Sequence, residues 1–270
     1  MGHQAWARAI SRRNWFAILV PLAFASPLGA QSSSITVFAA ASLTAAFTEI
    51  ATRFETAGGP NVIFNFAGSQ QLVAQLDQAA KVEVFASADQ RWMDHARDAG
   101  RLAGPSTVFV RNRLVVITPR ANPGGINRLE DLARPGKKLV LAAAMVPAGQ
   151  YSRQVLTRLG RRPDFGANYP ARVLANLVSE EDNVKAVVAK VQLGEADAGI
   201  VYRSDITPSI AREVSIIDLP DSANVIAQYP IAVLTTAPNP SAARAFVDFV
   251  LSREGQAILA RYGFEPVSGK

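Results

Sequence analysis

The sequence predicts an α/β protein of two lobes, each a mostly parallel sheet flanked by helices, with two strands crossing between the lobes. Three observations point there. Short apolar, β-forming runs alternate with amphipathic helical stretches from residue 35 to residue 261, the pattern of a parallel sheet covered on both faces. The alternation breaks between Pro119 and Gly125 and then resumes. The 270 residues suffice for one large domain or two smaller ones, at ~100–200 residues each.

Residues 35–40 (ITVFAA) read as the first strand, a short apolar run rich in β-formers. A helix over 43–57 places Leu43, Ala46, Phe47, Ile50 and Phe54 on one face, and Gly58-Gly59-Pro60 stops it. Strand 62–66 (VIFNF), a helix over 70–80 with Leu72, Val73 and Leu76 inward, and strand 82–86 (VEVFA) follow. The next helix carries Trp92 and Met93. Strands at 113–118 (RLVVIT) and 229–235 (YPIAVLT) are read as the two that cross. They divide the chain into lobe 1, residues 31–113 with 230–270, and lobe 2, residues 114–229. Inside lobe 2 the pattern is strand 138–143, helix 149–159, helix 183–193, strand 198–202 and strand 214–218. Helices over 240–251 and 253–261 follow the second crossing strand.

Residues 1–30 differ in character. Arg8, Arg12 and Arg13, with no acid among them, precede the apolar run from Trp15 to Ala25. A basic start, a short apolar stretch and small residues at a cut site describe a cleaved secretory signal peptide. The run is too short to span a bilayer, where ~20 apolar residues are needed. The cut falls after Ala30 or after Ala25, and Arg12-Arg13 leaves general and twin-arginine export both open. With no Cys after the run, a lipid anchor is excluded, and the mature chain is expected to be exported and soluble.

This segment alters the charge balance. Lys+Arg 28 against Asp+Glu 22 gives +6 and a pI near 9.9, which alone would suggest nucleic acid or a membrane surface. The three arginines leave with the segment, so residues 31–270 carry +3, and no nucleic-acid partner is expected. The absence of Cys excludes disulfides, thiolate zinc sites and Cys nucleophiles. His95 is the one histidine after residue 30; it reads as a helix residue and not a ligand.

In open parallel sheets, ligands gather where strands end and helices begin. Helix N-termini there offer unpaired N–H groups and partial positive charge, so this edge suits anions. Ser42 and Ser69 stand at two such joints, beside Ala39, Ala40, Ala41, Ala67 and Gly68. Each serine is either an ordinary N-cap of its own helix or a donor to a ligand. Val146-Pro147-Ala148-Gly149 opens a third helix, where Ala148 and Gly149 could offer N–H groups. Ser179 to Val184 is read as the opening of a fourth, with Glu180, Glu181 and Asp182 as acids complementing its dipole. Tyr202 ends a strand and would point at the same edge.

The motifs ITVFAAASL (35–43), FAGSQ (66–70), FASADQRWMD (85–94), VPAG (146–149), EDNV (181–184), AGIVYRSD (198–205), YPIAV (229–233) and RYGF (261–264) resemble those of the periplasmic molybdate-binding proteins of ABC importers. The resemblance covers about 35–265 and implies the two-lobed type II solute-binding fold, with crossover strands as a hinge. It implies an oxyanion held by Ser42, Ser69, Ala148, Val184 and Tyr202, with molybdate or tungstate as ligand. It implies no catalytic residue, no bound metal cation and no cofactor, since molybdenum enters only inside its oxyanion. The implied partner is the membrane permease of an ABC importer, and the protein is expected to be a periplasmic monomer. Two stretches depart from the family: Lys81-Val82-Glu83 where Pro-Ala-Asp is common, and Ala143-Ala144 where Asp-Pro is common. The second adjoins the loop presenting Ala148.

Such a ligand is a fully deprotonated tetrahedral dianion, all acceptor and no donor. Hydroxyls and peptide N–H groups meet that need, and helix dipoles avoid the desolvation cost of burying Arg or Lys. Hydrogen phosphate brings a proton that would find few acceptors, and sulfate is smaller. The alternative reading is a binding protein of the same fold for sulfate or another small oxyanion. A serine hydrolase would need a Gly-x-Ser-x-Gly elbow, which Ala67-Gly68-Ser69-Gln70-Gln71 does not supply. A sensor domain of a regulator would need a DNA-binding helix pair in place of the export segment. Arg153 and Arg203 either steer the anion inward or are solvated surface residues.

Overall fold

A computed structural model describes Met1 and residues 34–267 apart from Ala79. The signal-peptide reading, with its cut sites, lies outside the described residues.

Sequence order and spatial order interleave. The first strands and helices are β1 (Ile35–Ala40), α1 (Thr44–Thr56), β2 (Val62–Ala67), α2 (Ser69–Asp77), β3 (Val84–Ala86), α3 (Gln90–Asp98) and β4 (Thr107–Asn112). After Arg113 come β5 (Leu114–Pro119), β6 (Leu139–Ala142), α4 (Pro147–Gly160), α5 (Tyr169–Leu174), β7 (Leu177–Glu181), α6 (Val184–Gln192), β8 (Ala198–Tyr202) and β9 (Val214–Asp218). The last are β10 (Ala227–Val233), α7 (Pro240–Leu251) and α8 (Arg253–Arg261). They build two five-stranded sheets, ordered β2-β1-β3-β10-β4 and β7-β6-β8-β5-β9.

The sheets share one plan. Three strands in each are parallel, and the fourth in the order, β10 or β5, runs antiparallel to both neighbours. The chain passes from the first sheet to the second along an extended run, β4 through Arg113 into β5, and returns through 219–226. The run read at 113–118 is therefore the second half of a longer crossing segment. Its first half, β4, escapes a sequence reading because TVFVRN carries Arg111 and Asn112 among its apolar residues.

Packing explains which residues form these elements. Phe47 and Phe54 of α1, Phe64 of β2, Phe109 of β4 and Phe246 of α7 interlock with ring centroids 5.5 to 6.3 Å apart, covering one face of the first sheet. Leu72, Val73, Leu76 and Met93 cover its other face from α2 and α3. On the second sheet, Val187, Val188 and Val191 of α6 and Val155, Leu156 and Leu159 of α4 are buried on Val140, Ile200 and Val201. Apolar burial of this extent is the main force holding each layer.

One reading is corrected. Residues 177–181 are not a helix opening but β7, paired in parallel with β6. Its burial alternates along the strand, as on an edge strand exposed on one face. Glu180 pairs with Arg153 and Glu181 with Lys190, so neither acid caps a helix. Asn183 does: its Oδ1 accepts the Ala186 N–H at 3.2 Å. Among the described residues no helix is long and apolar enough to cross a membrane.

Candidate functional site

The ends of β1, β2, β6, β7 and β8 bring their following turns together around one small cavity. Ser42, Ser69, Ala148, Val184 and Tyr202 all line it, with Ala40, Ala41, Gly68, Ala88 and Pro147 among their neighbours. The cavity volume is about 10 Å³, too small for a sugar or a peptide. All five are enclosed: Ser69, Ala148 and Tyr202 at 1% exposure, and Ser42 and Val184 at 3%.

Neither serine serves its own helix. Ser42 sits in a single 3-10 turn, Ala41–Leu43, before α1, and no side chain caps either element. Its Oγ lies 2.9 Å from Tyr229 Oη, a residue of β10. Ser69 is the first residue of α2, and its Oγ accepts the Ala88 N–H at 3.1 Å. The N-cap alternative is thus not what the hydroxyls do.

The opposite wall is backbone. α4 begins at Pro147, with Val146 as an N-cap that offers no side-chain bond, so the first-turn N–H groups of Ala148 and Gly149 have no partner within the helix. Gly149 is required: a Cβ there would sit 2.1 Å from the Ala143 carbonyl oxygen and 2.2 Å from that of Ala142. α6 begins at Val184 behind Asn183. Tyr202 ends β8, and its hydroxyl is buried with no hydrogen-bond partner, an arrangement that costs free energy unless something else accepts from it. Burial pushes that hydroxyl well above its ordinary value, so it keeps its proton. Behind it, Asp205 Oδ2 accepts the Tyr202 N–H at 3.0 Å, and Lys185 stands 3.4 Å from the same carboxylate. Burial raises the Asp205 pKa, and the Lys185 charge opposes that shift.

Three hydrogen bonds join the two walls beside the cavity-lining residues. Gln70 Nε2 donates to the Asp182 carbonyl at 2.8 Å. Arg91 Nη2 and Trp92 Nε1 both donate to the Met145 carbonyl, at 2.7 and 3.0 Å. Sequence reasoning missed these three residues, although FASADQRWMD contains two of them. It also missed Tyr229, Asn112 and Ala88, whose bonds reach residues distant in the chain. The steering candidates lie elsewhere. Arg153 bonds the Ala142 and Gly149 carbonyls and Glu180, and Arg203 pairs with Asp218; neither lines the cavity. His95 Nε2 lies 3.1 Å from Asp77, half exposed on α3.

Two sheets of one plan with a small enclosed cavity at their facing edges define a solute-binding protein. Comparison with known proteins agrees. The model of the family described as bacterial extracellular solute-binding protein matches residues 35–265, and the chain belongs to that family. Among its relatives, the molybdate-binding protein ModA of Mycobacterium tuberculosis is 43% identical over 233 residues, 86% of this chain and 84% of that one. ModA of Escherichia coli is 33% identical, over 87% and 90% of the two chains. The structure of the Azotobacter vinelandii periplasmic molybdate-binding protein superposes with a TM-score of 0.74 at 22% identity, covering 87% of this chain and all of that one, a likeness of fold. The two-lobed type II fold is therefore established, and the protein is a binding protein and not an enzyme.

Proposed function

We propose that this protein captures molybdate in the cavity and delivers it to the membrane permease of an ABC importer. One observation carries the reading: the five residues converge on one small cavity, and every polar side chain among them can donate. Ser69 Oγ already accepts a peptide N–H, and Tyr202 Oη is buried without an acceptor. First-turn N–H groups of α4 and α6 add donors and partial positive charge. Among the described residues no Lys or Arg lines the cavity, so the dianion's charge is met by dipoles. The 43% identical relative named for molybdate binding supports the choice of ligand. Tungstate, with the same charge and shape, is bound as well. The protein works as a monomer in the periplasm, and the two crossing segments act as the hinge on which the walls close.

Calorimetric titration with molybdate, tungstate, sulfate and phosphate tests the proposal. Binding of the first two, with sulfate much weaker and phosphate absent, is the expected result. Silence with molybdate and tungstate would overturn it, and equal affinity for sulfate would favour a sulfate-binding protein of the same fold.

A further inference from the structure

The polar groups behind Ser42 form a directed chain. Asn112 ends β4 and is fully buried. Its Oδ1 accepts the Arg113 N–H at 3.0 Å. A peptide N–H can only donate, so this bond fixes the amide's orientation and makes Nδ2 the end that donates. The two Nδ2 protons go to Ser204 Oγ at 2.8 Å and Tyr229 Oη at 3.3 Å. Tyr229 is itself fully buried. A phenol has one proton; with Asn112 donating to its oxygen, the arrangement that continues the chain sends that proton to Ser42 Oγ, 2.9 Å away. Ser42 then accepts from Tyr229 and has its own proton left for the cavity.

From this chain, and resting on the molybdate reading above, we propose that Asn112 and Tyr229 are positioning residues that set the direction of the Ser42 hydroxyl. They commit its one proton to the cavity, so that it meets the ligand as a donor. Ser69 is set the same way by the Ala88 N–H. For Ser42, the site's refusal of an oxyanion that carries a proton is thus enforced from behind, by Asn112 and Tyr229, which do not line the cavity. A hydroxyl free to rotate would serve either kind of anion; a wired one discriminates.

The test compares molybdate with arsenate at pH 8. Both are tetrahedral dianions there, but arsenate keeps one proton. Molybdate affinity is measured directly and arsenate by competition against molybdate. Asn112→Asp keeps the shape and reverses the chain: the carboxylate accepts from Tyr229, Tyr229 accepts from Ser42, and Ser42 turns a lone pair to the cavity. The added charge repels both dianions alike, and their difference in size is common to all variants, so both cancel when ratios are compared. The expected result is a molybdate-to-arsenate preference reduced about tenfold or more in Asn112→Asp, the scale of one mismatched buried hydrogen bond. Tyr229→Phe, which only frees the hydroxyl, should reduce it less, and carries the test should Asn112→Asp fail to fold. Weakening of both anions by the same factor is what a merely structural role gives, and would overturn the proposal. A wild-type protein that binds no molybdate overturns the functional reading itself, which separates the two failures.

Discussion

The two walls of the cavity bind by different means although the sheets behind them share one plan. The first wall, at the ends of β1 and β2, offers side-chain hydroxyls, Ser42 and Ser69, whose oxygens are each tied by a hydrogen bond to Tyr229 or Ala88. The second, at the ends of β6, β7 and β8, offers peptide N–H groups of α4 and α6, with the hydroxyl of Tyr202 beside them and Asn183 at the edge of the same wall. A hydroxyl wall can be edited one donor at a time. A backbone wall can be altered only by moving a helix.

That difference can be broken or sharpened experimentally. The largest effect is expected from Gly149→Ala. The new Cβ meets two carbonyl oxygens at 2.1 and 2.2 Å, so the start of α4 must shift, removing several donors together. Loss of detectable binding is expected, with stability lowered by about 2 kcal/mol; near-normal affinity would show that the N–H groups of α4 do not hold the ligand. Ser42→Ala on the opposite wall deletes a single charge-assisted bond, and affinity should fall about 10- to 100-fold with folding intact. Tyr202→Phe should weaken binding about tenfold and yet raise the melting temperature without ligand. It removes a buried hydroxyl that has no partner, worth up to about 1 kcal/mol. A drop in unliganded stability would mean that the hydroxyl is satisfied within the protein.

The smallest expected effect is none at all. Tyr202 is the one titratable group among the lining residues, and its raised pKa keeps the neutral, donating form on both sides of neutrality. Affinity for a fully deprotonated anion should stay level from pH 6 to 9. A midpoint inside that range would show that a group outside the cavity lining titrates with binding, and Asp205→Asn would test whether it is that buried carboxyl, which burial raises and Lys185 opposes.

The five lining residues were legible because each stands at a strand end, where chain direction and helix dipoles are set by local sequence. Ser42 and Ser69 could be found by position, but not their roles. Whether a serine caps its helix or faces a ligand depends on what else reaches its oxygen. For Ser42 that partner lies 187 residues away. Tyr229 sits inside the YPIAV strand motif and reads as packing until its hydroxyl is seen bonded. β7 was misread because its two glutamates precede a helix, and acids there look like dipole complements. Their pairing with Arg153 and Lys190 depends on neighbouring elements, which no local pattern contains. α5, six residues long, is too short to show a helical period.

The placement of β10 has a consequence for how the molecule is made. Every strand of the second sheet lies between Leu114 and Asp218, without interruption from the first. The first sheet lacks its fourth strand until Ala227–Val233 is synthesised, and without it β4 has no neighbour. Tyr229 arrives on that same strand. A nascent chain stopped near residue 225 would own a complete second sheet, while Ser42 would lack the group that orients it. Non-local pairing of this kind is slow to form, so the first sheet finishes last, and a binding-competent cavity is a late product of folding.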